Sequence, residues 1–174
     1  VVADLQDPEI VYWEMQGGGI HRYNKVTTEN KSIKPQTHDE KITLRFNWNT
    51  PIHQSTLNPG TIYTGAQFLY RTRSMGNSWD RISPDLTTND PEKQKQDESG
   101  GLSVDNSSAE NHCTIFAICE SPLDANIIWV GTDDGNLQVT ANGGASWENV
   151  VKNVPGLPKN AWVSSVDAGR FDKN

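Results

Sequence analysis

Ser121-Pro122-Leu123-Asp124 is followed, four residues after its Asp, by Ile128-Trp129, and later by Thr140-Ala141-Asn142-Gly143-Gly144-Ala145-Ser146-Trp147. The first half of this phrase occurs again as Ser55-Thr56-Leu57-Asn58 with Ile62-Tyr63, and as Asp4-Leu5-Gln6-Asp7 with Val11-Tyr12. A fourth copy, Gly169-Arg170-Phe171-Asp172, ends on the same turn-type acid, so the copies are offset by 51, 66 and 48 residues. The second half recurs as Thr72-Arg73-Ser74-Met75-Gly76-Asn77-Ser78-Trp79, with Thr, Gly, Ser and Trp at the same spacing. These residue types describe a tight hairpin. Gly supplies a positive φ, the hydroxyls satisfy turn backbone groups, and the Trp packs beneath.

Outward from the repeats, periodicity predicts strands. Lys41-Ile42-Thr43-Leu44-Arg45-Phe46-Asn47-Trp48 alternates polar and apolar, the signature of a half-buried strand. Thr61–Thr64, Thr114–Ile118 and Ile127–Val130 are short β-branched and aromatic runs bounded by Asn, Asp, Pro or Gly. No window combines helical spacing with caps, and Val26–Glu40 reads as a polar loop. The expectation is an all-β chain. Its units, approximately 1–51, 52–117, 118–168 and the start of a fourth at 169–174, predict a β-propeller segment of about three four-stranded blades. Rings of this kind typically close with about 4–8 blades, so a fragment of a larger propeller is expected. Open sheet edges expose unpaired backbone groups and predict self-association.

Composition narrows the function classes. The 174 residues carry 15 Lys+Arg against 22 Asp+Glu, a formal charge of −7, which argues against a nucleic-acid partner. No apolar run approaches the ~18 residues of a membrane span. Cys113 and Cys119 are six apart in a strand-like stretch, too far along an extended chain for a disulfide, and are expected to be free thiols. No Cys/His spacing suits a metal, and no cofactor is expected. His21, His38 and His53 have no ligand spacing and read as core or solvated residues.

The two hairpins resemble the Asp-box, or BNR repeat, of pattern Ser/Thr-x-Asp-x-Gly-x-Ser/Thr-Trp. Thr72, Gly76, Ser78 and Trp79 match it in one copy, and Thr140, Gly144, Ser146 and Trp147 in the other. Both depart at the Asp position, with Ser74 and Asn142. The phrases Trp79–Leu86 and Val130–Val139 look like the Vps10/sortilin-type branch, whose bacterial secreted members are often labelled glycosyl hydrolase BNR repeat proteins. The resemblance covers roughly residues 1–172. It implies a propeller in an extracytoplasmic (secreted or periplasmic) setting. It also implies that the box turn is structural and lies away from the ligand face. Sialidases, endoglucanases acting on xyloglucan and sortilin-like receptors all carry the box, so it speaks for fold rather than activity.

Two functions follow as expectations. The first is a non-catalytic module that recognises a glycan, peptide or protein through its face loops. Phe46–His53, Asn111–Cys113 and Asn160–Trp162 read as leads into inner strands, which places Trp48, His112 and Trp162 near a channel mouth. The alternative is part of a secreted glycoside hydrolase, sialidase- or xyloglucanase-like. Such an enzyme needs two carboxylates about 5–9.5 Å apart. The acids here sit mostly in turn contexts (Asp7, Asp124, Asp133, Asp134, Asp172), with Asp133-Asp134-Gly135-Asn136 reading as a hairpin turn. Arg45, Arg71, Arg73 and Arg81 lack the companion signature of a sialidase site. Catalytic carboxylates are therefore expected mostly outside this segment. Pro84–Asn111 is a long polar insertion expected to crown one propeller face, with the run Lys93–Glu98 solvated. Asn30-Lys31-Ser32 and Asn106-Ser107-Ser108 match the N-glycosylation sequon, a short pattern of little weight.

Overall fold

The computed structural model describes residues 1–95 and 111–172. It contains three four-stranded antiparallel sheets, each made from consecutive strands. Sheet one is β1 (Val2–Ala3), β2 (Ile10–Met15), β3 (Gly19–Asn24) and β4 (Asn30–Ser32). Sheet two is β5 (Ile52–Gln54), β6 (Ile62–Gly65), β7 (Leu69–Thr72) and β8 (Asp80–Arg81). Sheet three is β9 (Ile115–Ser121), β10 (Asp124–Thr132), β11 (Leu137–Thr140) and β12 (Glu148–Asn149). Short 3-10 turns at Pro91–Gln94 and Val151–Asn153 are the helical structure among the described residues. None is long and apolar enough to cross a membrane. The division drawn at 117/118 cuts β9, so the third sheet takes up the chain at Ile115.

The repeated phrases occupy the same places in every sheet. Tyr12, Tyr63 and Trp129 pair across the ladder with Arg22, Arg71 and Val139. In sheets one and two, one face of the central strands meets the next sheet. Ile10, Tyr12, Ile20 and Ile33 form a core with Ile62 of sheet two. Tyr63, Leu69 and Leu86 form another with Ile115, Ile118, Ile128 and Val130 of sheet three. Each fully buried side chain of this kind contributes about 1.5–3 kcal/mol. Glycines let the sheets approach. A Cβ on Gly65 would come within 2.5 Å of Ile115, and one on Gly131 equally near Val163. Backbone bonds repeat the contact: Ile115 N donates to Ala66 O at 2.8 Å, and Val163 N to Thr132 O at 3.0 Å.

The hairpins after β7 and β11 close in the same way. Thr72 Oγ1 accepts from the amides of Ser74 and Gly76, both at 3.1 Å. Thr140 Oγ1 accepts from Asn142 N at 3.2 Å and Gly144 N at 3.0 Å. Ser74 Oγ and Asn142 Oδ1 stand where the pattern has a carboxylate, accepting from Ser78 N at 3.0 Å and Ser146 N at 2.9 Å. Each Trp then reaches the preceding sheet: Trp79 Nε1 donates to Ile33 O at 2.7 Å, and Trp147 Nε1 to Ile82 O at 3.1 Å.

One strand expectation fails. Residues 41–48 belong to no sheet, and their exposure alternates only over 41–44, since Phe46 and Asn47 are both buried. Their backbone is satisfied by a side chain instead: Gln67 Oε1 accepts from Arg45 N at 2.9 Å, and Gln67 Nε2 donates to Thr43 O at 2.8 Å. Alternation reports a chain with one side against protein, and here that protein is a turn rather than a strand edge. Both cysteines are free and buried. Asn30-Lys31-Ser32 forms the exposed strand β4. Asn106-Ser107-Ser108, Ser99-Gly100-Gly101 and the end of the charged run lie outside the described residues.

Candidate functional site

The antiparallel order sends the box hairpins to one end of the sheets. The turns between second and third strands, with the inter-sheet segments, lie at the other end, called here the loop end. Arg45 ties three of these segments together. Its Nε donates to Cys113 O at 3.2 Å, and its Nη2 to Asp85 Oδ2 at 2.9 Å and Thr87 Oγ1 at 3.3 Å. The Arg45 and Asp85 side chains are 15% and 25% exposed, so the pair is held out of most of the solvent.

Beneath it lie two carboxylates with no exposed surface, Asp133 and Asp134. They occupy the turn between β10 and β11, as the sequence suggests, but they point inward. Asp133 accepts from Thr114 N at 2.9 Å, Thr114 Oγ1 at 2.6 Å and Asn47 Nδ2 at 2.9 Å. Asp134 Oδ2 accepts from Thr88 N and Thr88 Oγ1, both at 2.7 Å, while its Oδ1 accepts from Thr132 Oγ1. Burial pushes the Asp133 carboxyl above its ordinary value, offset in part by the Thr114 donors, His112 and Asn47. The Cys113 thiol, at φ 60°, is pushed up to about 11 by burial and then by the negative charge of Asp134. A thiol so protonated is a poor nucleophile at neutral pH. This is a locked floor rather than a reactive centre.

Beside this network, with Arg45 in its wall, opens a cleft of about 560 Å³. Lys41, Thr43 and Arg45 form one wall, Gln67, Phe68 and Asp85 another, and Asn89, Gln94, Asn111 and His112 complete it. The lining is rich in amides, carries the exposed Lys41, and among the described residues has Asp85 as its one carboxylate, paired with Arg45. The described lining thus lacks the second carboxylate that glycoside hydrolysis needs. Among the described residues no three His, Cys, Asp or Glu side chains converge on a metal site.

The residues singled out from sequence are distributed unequally. His112 borders the cleft, and its ring lies 6.1 Å from that of Trp162, which in turn lies 5.2 Å from Phe116. Trp162 lines a neighbouring apolar groove of about 330 Å³. Trp48 is 43% exposed and makes no ring contact with either. Thr72, Ser74, Gly76, Ser78 and Trp79, with Thr140, Asn142, Gly144, Ser146 and Trp147, stay in the hairpins at the opposite end. Sequence reasoning missed Asn47, Gln67 and the inward turn of Asp133 and Asp134. A paired acid followed by Gly reads as a solvated turn, and its partners are distant in sequence.

No family model and no curated protein matches the chain. Solved structures do resemble it. An ancestral GH74 enzyme superposes with a TM-score of 0.50 at 19% identity, over 86% of this chain and 17% of its own. The extracellular domain assigned to a one component system of B. thetaiotaomicron gives 0.58 at 15% identity, over 97% and 18%. The chain therefore spans less than a fifth of each. At such identities the likeness speaks for fold alone, and with three consecutive four-stranded sheets it establishes an all-β, propeller-type segment.

Proposed function

We propose that the chain is a non-catalytic recognition module of a secreted or periplasmic BNR-repeat propeller of the Vps10/sortilin-like type. It takes a glycan, peptide or protein ligand into the loop-end cleft. The observation that carries the reading is the cleft's chemistry. Hydrogen-bonding amides and an exposed ammonium face an opening of about 560 Å³, and Arg45 in its wall is held by Cys113, Asp85 and Thr87. Rigid polar clefts lose little freedom on binding, which favours recognition. His112 is the ligand contact within the cleft, and Trp162 and Trp48 extend the surface around it.

The alternative is a glycoside hydrolase whose acid–base carboxylates lie on other blades. The fold likeness to a GH74 enzyme favours it, and the salt-bridged Asp85, the one carboxylate of the cleft among the described residues, disfavours it. Glycan and peptide arrays, run beside a panel of chromogenic glycosides, separate the two. Binding without turnover, weakened on Lys41→Ala or His112→Ala, is expected. Turnover of any glycoside would replace the recognition reading with the enzymatic one.

A further inference from the structure

Sheets two and three build the same corner differently. Tyr70 faces Arg81 across the outer ladder of sheet two, and Gln138 faces Asn149 at the matching place in sheet three. In each sheet the box Trp holds the connector that arrives from the preceding sheet, Trp79 through Ile33 O and Trp147 through Ile82 O. Four residues further along, the two connectors differ. In sheet three Leu86 is buried, and its carbonyl accepts from Gln138 Nε2 at 3.0 Å. Asn149 Nδ2 is likewise taken up, by Asn136 Oδ1 at 2.9 Å. In sheet two that place belongs to Thr37, only half-buried, and a groove of about 290 Å³ opens between connector and sheet.

The sheet wall of this groove holds Tyr70, Trp79 and Arg81. Tyr70 is 4% exposed, yet its hydroxyl has no hydrogen-bond partner among the described residues. The hydroxyls of Tyr12 and Tyr63, by contrast, each donate to a carboxylate. Burial raises the titration of Tyr70, with the charge of Arg81 acting the other way, so the phenol stays protonated at neutral pH. Arg81 lies 4.8 Å over the Phe68 ring and makes no ion pair among the described residues. The connector wall presents Gln36, His38 and Asp39, all exposed.

This lining narrows the ligand. An anion would meet Asp39, a cation would meet Arg81, and a purely apolar molecule would leave the Tyr70 hydroxyl unpaired. A neutral sugar residue avoids all three conflicts. Its vicinal hydroxyls both donate and accept, which suits a guanidinium and a carboxylate together, and its C–H face packs on aromatic rings. The volume is near the lower bound of about 300 Å³ for small-molecule sites, which fits a single ring.

We propose that this groove is a carbohydrate-binding site, separate from the loop-end cleft, that takes one neutral pyranose residue of a glycan. Tyr70 Oη and Arg81 donate to its hydroxyls, Asp39 accepts from them, and Trp79 lies against the ring. Ile42 borders both hollows, so the chain at 41–42 is the ridge between them. What the groove binds does not depend on what the cleft binds.

Isothermal titration of the full chain with cellotetraose, mannotetraose, laminaritetraose and N-acetyllactosamine tests this, read beside the Trp79 indole N–H in heteronuclear NMR. At least one sugar is expected to bind and to shift the Trp79 signal. Tyr70→Phe keeps the ring and removes only the hydroxyl. It should weaken binding about 3–10-fold with an unchanged Tm, since no protein bond is lost. Arg81→Gln, at an exposed position, should weaken binding by about tenfold or more. Sugar binding that neither variant weakens overturns the proposal and leaves the loop-end cleft reading intact. Absence of binding to every sugar overturns it too, as does a peptide-array signal, without sugar binding, that Tyr70→Phe abolishes. A Tyr70→Phe chain that melts well below wild type removes the premise that the hydroxyl is unpartnered, and the proposal with it.

Discussion

The two ends of the sheets are held by different means. At the box end the turn-closing bonds are local: Thr72 reaches amides two and four residues on, and Thr140 does the same in sheet three, while Trp79 and Trp147 tie each hairpin to the preceding sheet. At the loop end they span the chain, with Asn47 reaching Asp133 across 86 residues and Arg45 reaching Cys113 across 68. One end is a repeated device, so damage to one copy leaves the other intact. The other is a single network of unlike residues, in which one loss reaches several segments. Glu120 adds another long-range tie at the box end, accepting from Ser55 Oγ and from Tyr63 Oη at 2.7 Å. In sheet one, Tyr12 finds its carboxylate in Asp4 of its own repeat instead.

The strongest way to break this contrast is Asp133→Ala. It strands three donors in the interior and is expected to cost about 3–5 kcal/mol in urea unfolding. A loss comparable to that of a surface substitution would show that the loop end is no network. Asp133→Asn tests the charge. Because burial raises the folded carboxyl above the ordinary value of 3.8, the native state binds the proton more readily. Its contribution is full below about pH 3.8 and is lost as pH rises through the folded value. The stability difference between wild type and Asp133→Asn should shrink along that rise.

Thr72→Val and Thr140→Val come next, each expected to cost about 1–3 kcal/mol by leaving two turn amides without an acceptor. Modular hairpins require the two losses to add within about 0.5 kcal/mol in the double variant. A large coupling would join the boxes into one unit.

His53, in sheet two near the box end, gives the opposite pH sign. Burial lowers its titration from 6.5, and its Nε2 accepts from Glu120 N at 3.1 Å. The stability it contributes is present above about pH 6.5 and is lost as pH falls towards the depressed folded value. His53→Gln should flatten the acid limb of a pH-dependent melting curve while leaving the Asp133 limb in place.

The smallest effect sharpens the comparison between the hairpins. Asn142→Asp and Ser74→Asp restore the carboxylate of the box pattern. Each is expected to stabilise by about 0.5 kcal/mol through a charge-assisted bond to Ser146 N or Ser78 N. Calorimetric Tm values that fall instead would mean that these turns are tuned to a neutral acceptor.

How much of this was legible follows from the range of the interactions. The box turns and the Ile-aromatic strands could be read residue by residue, because their partners lie within a few positions. The cleft was legible only in part. His112 could be placed beside it from its lead into an inner strand, but Arg45 drew notice only as one of four arginines. Gln67 carried no signal, since an amide that substitutes for a strand looks like any polar turn residue. Residues 41–48 show the limit of periodicity: a strand-like pattern runs over a stretch outside every sheet, in which Asn47 is as buried as Phe46.

By itself, the sequence determined the all-β class, the order of strands within each sheet and the hairpin chemistry, since backbone sterics and short-range hydrogen bonds decide these locally. Only the tertiary structure decided that Asp133 and Asp134 turn inward and that Arg45 closes on Asp85. Each depends on which distant segment arrives opposite, and the free energy of a buried charge or an apolar face is set by that partner.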